Sequence, residues 1–424
     1  MEKQKNTISI NLQKAIYEIA IRAYKALIRL ASFRSEKAKK WIEGRENWRE
    51  LLASKIDPNK PRILVHAASL GEMEQGLPVL KKLREAKPEH QIILSFYSPS
   101  GYEHFKESKL YDLLIYLPED SSKNAADFAS IVQAQLALFI KYEIWPNLLA
   151  SLKAEDCKLV LAPAVFRPQQ VYFKAHKYNW LTKSLHNFDH ILVQDEASMA
   201  LLSPLKLKQL SICGDSRLER AQENREQSYI SKIAQEFASQ NDCIIIGSSW
   251  PKEENLGLKI LQNTSYNLIL APHEIGPSNI ERLVREFREF SPSLFTSNHL
   301  NKNSRLLIID SIGDLKFLYR YAKLALIGGG FGKGVHSTLE AAVYQIPILF
   351  GPNHKKFPET IEMEKIGLAK MIENYKQLEA AMNNFLKPGS KQKFEDLSKL
   401  FLEQKLGASN KILHACLELL ETHE

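Results

Sequence analysis

The sequence is poor in cysteine: four among 424 residues, Cys157, Cys213, Cys243 and Cys416, with no close pair. That spacing excludes a zinc knuckle and a disulfide framework, and it fits a reducing cytoplasm. His66, His90, His104, His176 and His354 lack metal-ligand spacing and read as structural or surface residues, so no metal is expected. Long apolar runs are missing as well. Charges interrupt the N-terminal segment every three or four residues, so no membrane-crossing helix and no signal peptide is expected. Low-complexity tracts are absent, and the only repeat is a loose duplication of a strand and helix pattern.

Positive charge is present in excess and unevenly placed. The net charge is +8, and residues 1–57 hold 13 Lys/Arg against 7 Asp/Glu. Neither zinc-finger spacing nor interleaved basic and aromatic residues accompany it, so an anionic membrane surface is the expected partner and nucleic acid is not. At 100° per residue, Leu12, Ile16, Ile19, Ala20, Ala23, Ala26, Leu27 and Leu30 share one helix face. Lys14, Glu18, Arg22, Lys25 and Arg29 take the other. Such a helix, backed by Arg34, Lys37, Lys39, Lys40, Trp41 and Trp48, suits a headgroup layer. The same pattern also describes a helix packed on the protein's own core, and both readings stand.

With 44% hydrophobic residues, the chain can bury two cores. After the linker Asp57–Pro61, short apolar runs near 62–68, 91–97, 113–117, 136–140, 158–163, 190–194 and 209–213 alternate with helical patterns. A charged helical stretch around 219–240 follows, and the pattern restarts at Cys243–Gly247, Tyr266–Ala271, Arg305–Asp310, Leu324–Gly328 and Pro347–Phe350. Alternation of this kind predicts an α/β chain of GT-B type: two doubly wound, Rossmann-like domains with a ligand cleft between them. The expected divisions are a basic amphipathic segment over 1–57, one domain over 58–215, a second over 216–405, and a helix over 406–424 packing back on the first.

Three motifs carry candidate chemistry. Gly328-Gly329-Gly330-Phe331-Gly332-Lys333-Gly334 follows a buried run and leads into Ser337-Thr338-Leu339-Glu340. Backbone amides there can cradle a phosphate and Glu340 can accept ribose hydroxyls, although Ser337 to Glu340 also fits a capping box that binds nothing. Ser69-Leu70-Gly71-Glu72 places a carboxylate at a helix start, where it serves either as a general base or as a first-turn residue favoured by the helix dipole. Glu143-Ile144-Trp145-Pro146-Asn147 ends another strand at the same edge, so Glu143 can share a pocket with Glu72.

From about Trp41 to Glu359 these segments resemble the 3-deoxy-D-manno-octulosonic acid (Kdo) transferases of the lipopolysaccharide inner core. Besides the motifs above, the likeness rests on Ser98-Pro99-Ser100-Gly101, Gly247-Ser248-Ser249, Leu270-Ala271-Pro272, Gly313-Asp314-Leu315 and the block Gly328–Pro352. The resemblance implies an inverting, metal-independent transfer of Kdo from CMP-Kdo to a lipid A precursor, with no cofactor, at the cytoplasmic face of the bacterial inner membrane. It implies an acceptor-binding first domain and a CMP-sugar-binding second one. Glu72 matches the base, Glu143 a carboxylate that helps stabilise the transition state, and Arg217 a position where the family usually has Lys. Contacts to CMP fall on Pro272, His273, Ile312, Gly313, Asp314, Ser337, Thr338, Leu339 and Glu340, with Gly329 and Gly330 toward the phosphate. This chain departs from the family at His273, which stands where Arg is usual, at Ser337-Thr338 in place of Asn-Pro, and at Ala162-Pro163-Ala164 in place of Asn-Ala-Arg. A GT-B glycosyltransferase or epimerase using a UDP-sugar is the rival enzyme. A catalytically silent, membrane-associated nucleotide-binding scaffold is the rival from another class, and the joint retention of Glu72, Glu143 and Glu340 argues against it.

Overall fold

The computed structural model describes residues 2–170, 172–173, 180–297, 299–403 and 405–422, with side chains from Asn11 onward; His176 lies outside them. Two compact units divide the chain, Met1–Glu219 with Gly407–Glu424, and Arg220–Leu406.

In the first unit the strands are β1 (Arg62–Ala67), β2 (Gln91–Phe96), β3 (Leu113–Tyr116), β4 (Leu136–Phe139), β5 (Lys158–Ala164), β6 (His190–Val193) and β7 (Leu210–Ile212). They form one sheet in the order β3-β2-β1-β4-β5-β6-β7, every pair parallel. Because side chains alternate across a strand, β5 feeds two cores: Leu159 and Leu161 meet Phe128 and Leu149 on one face, while Val160 and Ala162 meet Leu80 and Ile412 on the other. Burying each such aliphatic side chain contributes roughly 1.5–3 kcal/mol.

The final helix, Ala408–Glu421, buries Ile412, Ala415, Cys416 and Leu420 in that second core. Glu219 ties its start to the rest of the unit, accepting from the amides of Gly407 at 2.8 Å and Ser409 at 3.1 Å. Ser216 to Glu219, assigned from sequence to the second domain, therefore pack with the first. Ser216 Oγ donates to the Gln75 carbonyl at 2.6 Å and holds that junction on the helix Leu70–Ala86.

The second unit repeats the plan with β8 (Cys243–Ser249), β9 (Asn267–Pro272), β10 (Ser293–Leu294), β11 (Leu306–Ile308), β12 (Leu324–Ile327), β13 (Ile348–Phe350) and β14 (Ala369–Met371). Their order is β10-β11-β9-β8-β12-β13-β14, again all parallel. The strands that the sequence reading did not find here, β10 and β14, are the two edges. Edge strands are short and half solvated, so they show no apolar run. The charged stretch near 219–240 forms two helices, Arg217–Glu226 and Lys232–Gln240.

The N-terminal helix, Glu2–Ala31, docks on the first unit by its polar side. Tyr17 donates to Asp120 at 2.9 Å, Glu18 accepts from the Ser122 amide at 2.7 Å, and Gln13 accepts from the Trp180 amide at 2.8 Å. Lys25 pairs with Glu119. Asp120 in turn caps the helix Pro146–Ala154 through the amides of Asn147 and Leu148. Burial pushes its carboxyl up to about 7 against those hydrogen bonds. The apolar face meanwhile points away from the core: Leu12 is 61%, Ile16 57%, Ile19 66% and Leu30 67% exposed. Core packing of that face is thus not what its pattern encodes.

If the polar side anchors this helix, Tyr17→Phe removes one hydrogen bond to a buried carboxyl, worth about 1 kcal/mol. Limited proteolysis should cut within residues 11–31 several-fold faster in the variant, and an unchanged cleavage rate would show that the anchor lies elsewhere.

Candidate functional site

In a doubly wound sheet, ligands sit outside the carboxyl ends of the strands where the chain order reverses. That point lies between β1 and β4 in the first unit and between β8 and β12 in the second. Each carries a non-glycine residue in the left-handed region, Lys141 (φ 73°) after β4 and Ser248 (φ 53°) in β8. A side chain held there costs roughly 1 kcal/mol or more, which the surrounding packing must offset.

In the first unit the turn at Lys141 brings Glu143 back beside Glu72. Glu72 lies in the first turn of Leu70–Ala86 and its Oε2 accepts from the Ala68 amide at 2.7 Å. Both carboxylates are buried. Burial first, then repulsion from Glu143, pushes the Glu72 carboxyl up to about 7, while the Ala68 and Ser69 amides and Lys141 pull the other way. Glu143 Oε2 accepts from Trp145 Nε1 at 2.9 Å and lies 3.5 Å from Nε2 of the fully buried His66. His66 is itself fixed by Ser95, whose Oγ is 2.9 Å from Nδ1. Burial lowers the Lys141 ammonium from its ordinary value, and Arg217 and Arg167 act in the same direction. Arg217 is clamped by Asp215, with Nε 2.8 Å and Nη2 2.5 Å from Oδ2. The result is a carboxylate pair, one member of which takes up a proton near neutrality, inside a basic surround.

In the second unit the loop after β12 folds on itself: His336 N donates to Gly328 O at 3.0 Å, and Asn353 N to Gly330 O at 2.8 Å. Close approach requires its glycines, since a Cβ on Gly328 would stand 2.1 Å from Ser248 O and one on Gly330 2.5 Å from Gly351 N. The fully buried Glu253 faces this loop from below. Its Oε2 accepts from Trp250 N at 3.2 Å, and the amides of Phe331 and Gly329 also oppose the upward push of burial on it.

Downstream, the helix is a single turn, Leu339–Ala342, with Thr338 at its start and no side-chain cap. The capping-box alternative for Ser337 to Glu340 does not form, and Glu340 is the second helical residue. Ser337 is exposed, Glu340 half-buried, and Leu339 buried, so only the main chain of Leu339 can meet a ligand. Ile312 is 87% exposed, and Gly313 turns with φ 95°. The Asp314 carboxylate is engaged within its own unit, by Tyr229 OH at 2.8 Å and Ser311 Oγ at 2.5 Å. Pro272 closes β9, and the exposed His273 follows with its amide on Ser249 O at 3.0 Å.

A profile of the 3-deoxy-D-manno-octulosonic-acid transferases (kdotransferase) matches residues 45–220. The chain is 28% identical over 350 residues to the 3-deoxy-D-manno-octulosonic acid transferase of Aquifex aeolicus, covering 80% of this chain and 90% of that one. It is 25% identical over 320 residues to the enzyme of that name from Haemophilus influenzae, at 72% and 74% coverage. The chain is thus similar to the Kdo transferases over most of its length. It is accordingly a glycosyltransferase. Solved structures agree on a two-domain GT-B fold: UDP-GlcNAc 2-epimerase from Neisseria meningitidis bound to UDP-GlcNAc superposes with TM-score 0.60 at 13% identity, over 84% of this chain and 99% of its own. A glycosyltransferase from Rickettsia africae gives 0.56 at 12% identity, over 86% and 99%.

In this chain Glu72 and Glu143 gather at the switch point of the first unit, and Arg217 reaches it through its effect on Lys141. Pro272, His273, Ile312 to Asp314, Gly329, Gly330 and Ser337 to Glu340 lie along the carboxyl edge of the second sheet. Sequence reasoning passed over Trp250, Glu253 and His336, and took His66 for a structural or surface residue. His66 stands on β1 three residues before Ser69, and its place one strand from Glu143 was the available signal. Among the described residues no cluster of three or more His, Cys, Asp or Glu is arranged to hold a metal.

Replacing Glu143 by Gln removes a neighbouring negative charge but leaves Glu72 buried. A carboxyl-carbon NMR titration should then place Glu72 clearly below the wild-type value of about 7, yet above the ordinary value near 4.3. An unmoved midpoint would mean that the two carboxylates do not interact.

Proposed function

We propose that this chain takes Kdo from CMP-Kdo and attaches it to a lipid A precursor in lipopolysaccharide core biosynthesis, with inversion and without metal or cofactor. The observation that carries the mechanism is the buried Glu72–Glu143 pair, in which Glu72 exchanges its proton near neutral pH. A base of that strength is ionised often enough at pH 7 to accept a proton, and basic enough to draw one from a sugar hydroxyl.

Glu72 takes the proton of the acceptor hydroxyl as its oxygen bonds to the anomeric carbon and the bond to the CMP phosphate breaks on the opposite face. Positive charge develops on the sugar ring, and Glu143 offsets it, held in orientation by Trp145. The departing phosphate gains negative charge, which Arg217 and main-chain amides of the glycine loop offset; one well-placed donor of this kind is worth roughly 3–4 kcal/mol. On the donor side Pro272, His273, Ile312 to Asp314 and Ser337 to Glu340 take up CMP. Glu340 holds the ribose, and the exposed Ile312 offers an apolar surface to the base.

The acceptor is a lipid, and the N-terminal helix supplies the contact with its membrane. Its exposed apolar face enters the headgroup layer of the cytoplasmic leaflet while the basic residues of 1–57 meet anionic lipid. No described helix is long and apolar enough to cross a bilayer, and none is needed for this attachment.

Labelled Kdo should pass from CMP-Kdo to a lipid A precursor in detergent with EDTA present, and Glu72→Ala should abolish transfer. CMP release without glycolipid would retain the donor and reject the acceptor; inactivity toward both would reject the reading and direct the search to UDP-sugars. Separately, Ile16→Lys with Ile19→Lys should lower co-flotation with anionic vesicles about tenfold without altering the melting temperature, because both side chains are exposed in the folded chain. Equal flotation of variant and wild type would remove this face from the membrane contact.

A further inference from the structure

Three rings are stacked at the carboxyl edge of the second sheet. Trp250 lies on His273 with centroids 4.7 Å apart, and His273 lies on His336 at 4.6 Å. Trp250 Nε1 also donates to His336 Nε2 at 3.2 Å. An indole nitrogen is a donor only, so His336 Nε2 must be the acceptor. The ring is then neutral and carries its proton on Nδ1. Burial, and next the nearness of His273, keep its protonation below the ordinary range, in agreement with that tautomer.

The ring is held rigidly over the glycine loop. The His336 amide is bonded to Gly328 O at 3.0 Å. A Cβ on Gly329 would stand 2.8 Å from His336 Cδ2, so the glycine at φ 83° gives the imidazole its seat. No hydrogen bond to a described residue engages Nδ1, and the ring is only half-buried. A fixed N–H at the switch point of a doubly wound sheet stands where such folds hold phosphate.

We infer that His336 is a further donor-binding residue whose Nδ1–H hydrogen-bonds the nucleotide phosphate, and that Trp250 is the positioning residue that fixes its tautomer. This rests on the CMP-sugar reading. A neutral donor of this kind serves equally across the neutral pH range, whereas an imidazolium would fade as pH rises through its pKa.

Isothermal titration of the full chain in detergent with CMP and with cytidine tests it. Asn places an amide N–H close to the position of Nδ1, so His336→Asn should bind CMP within a few-fold of wild type. His336→Ala should bind CMP roughly tenfold to a hundredfold more weakly, with cytidine affinity unchanged, the size of a hydrogen bond to a charged group. In Trp250→Phe the ring nitrogen is released and can take a proton. The ratio of CMP affinities, variant over wild type, should then rise as pH falls from 8 to 6; the ligand's own titration cancels in that ratio. CMP affinity of His336→Ala equal to wild type, or equal losses for CMP and cytidine, would overturn the inference. A wild type that binds no CMP at all would overturn the donor reading and this inference with it.

Discussion

Parallel pairing in both sheets is the constraint on which the rest depends. When every strand runs the same way, every connection that leaves a carboxyl end starts from one edge, and residues far apart in sequence are delivered to it together. Glu72 follows β1 and Glu143 follows β4, and these strands are neighbours although more than sixty residues separate them. Trp250 and His336 meet by the same rule, through β8 and β12. The reversal of chain order at these two places opens the room that a ligand needs, and there the backbone accepts strain at Lys141 and Ser248.

Burial then decides the chemistry. A carboxylate exposed to water stays ionised well below neutrality, but Glu72 is shielded and faces a second carboxylate, so its proton is held near pH 7. Glu143 is stabilised in its place by a donor that cannot leave, Trp145 two residues on, with the ring of His66, sealed within the sheet, packed 3.5 Å away. In the second unit a resident carboxylate, Glu253, faces the glycine loop from inside. The loop is thus backed by a buried carboxyl, and a ring stack, not the amides alone, presents a donor at its surface.

Elsewhere the usual assignment of faces is inverted. The N-terminal helix spends its tyrosine, glutamate and lysine side chains on Asp120, Ser122 and Glu119, leaving its leucines and isoleucines outward. Amphipathicity alone says that a helix has two faces; it does not say which one the protein keeps. Here the polar partners sit near the start of the helix Pro146–Ala154, which follows directly on the Glu143 loop. Attachment of this helix and the geometry of the site therefore share one anchor, Asp120.

By itself the sequence determined the α/β class, all seven strands of the first sheet, five of the second, and the motifs that hold Glu72, Glu143 and the glycine loop. Periodicity and turn chemistry act over a few residues and are legible there. The edge strands β10 and β14 were not legible, because a half-solvated strand needs no apolar run. Only the tertiary structure decided that Ser337 to Glu340 form no capping box, that Arg217 packs with the first unit beside Asp215, and that His66 and His336 face functional groups. For His66 and His336 the partner is brought in from a distant strand or loop. A chain read one residue after another records which groups are available, while burial and the choice of partner fix their protonation and direction.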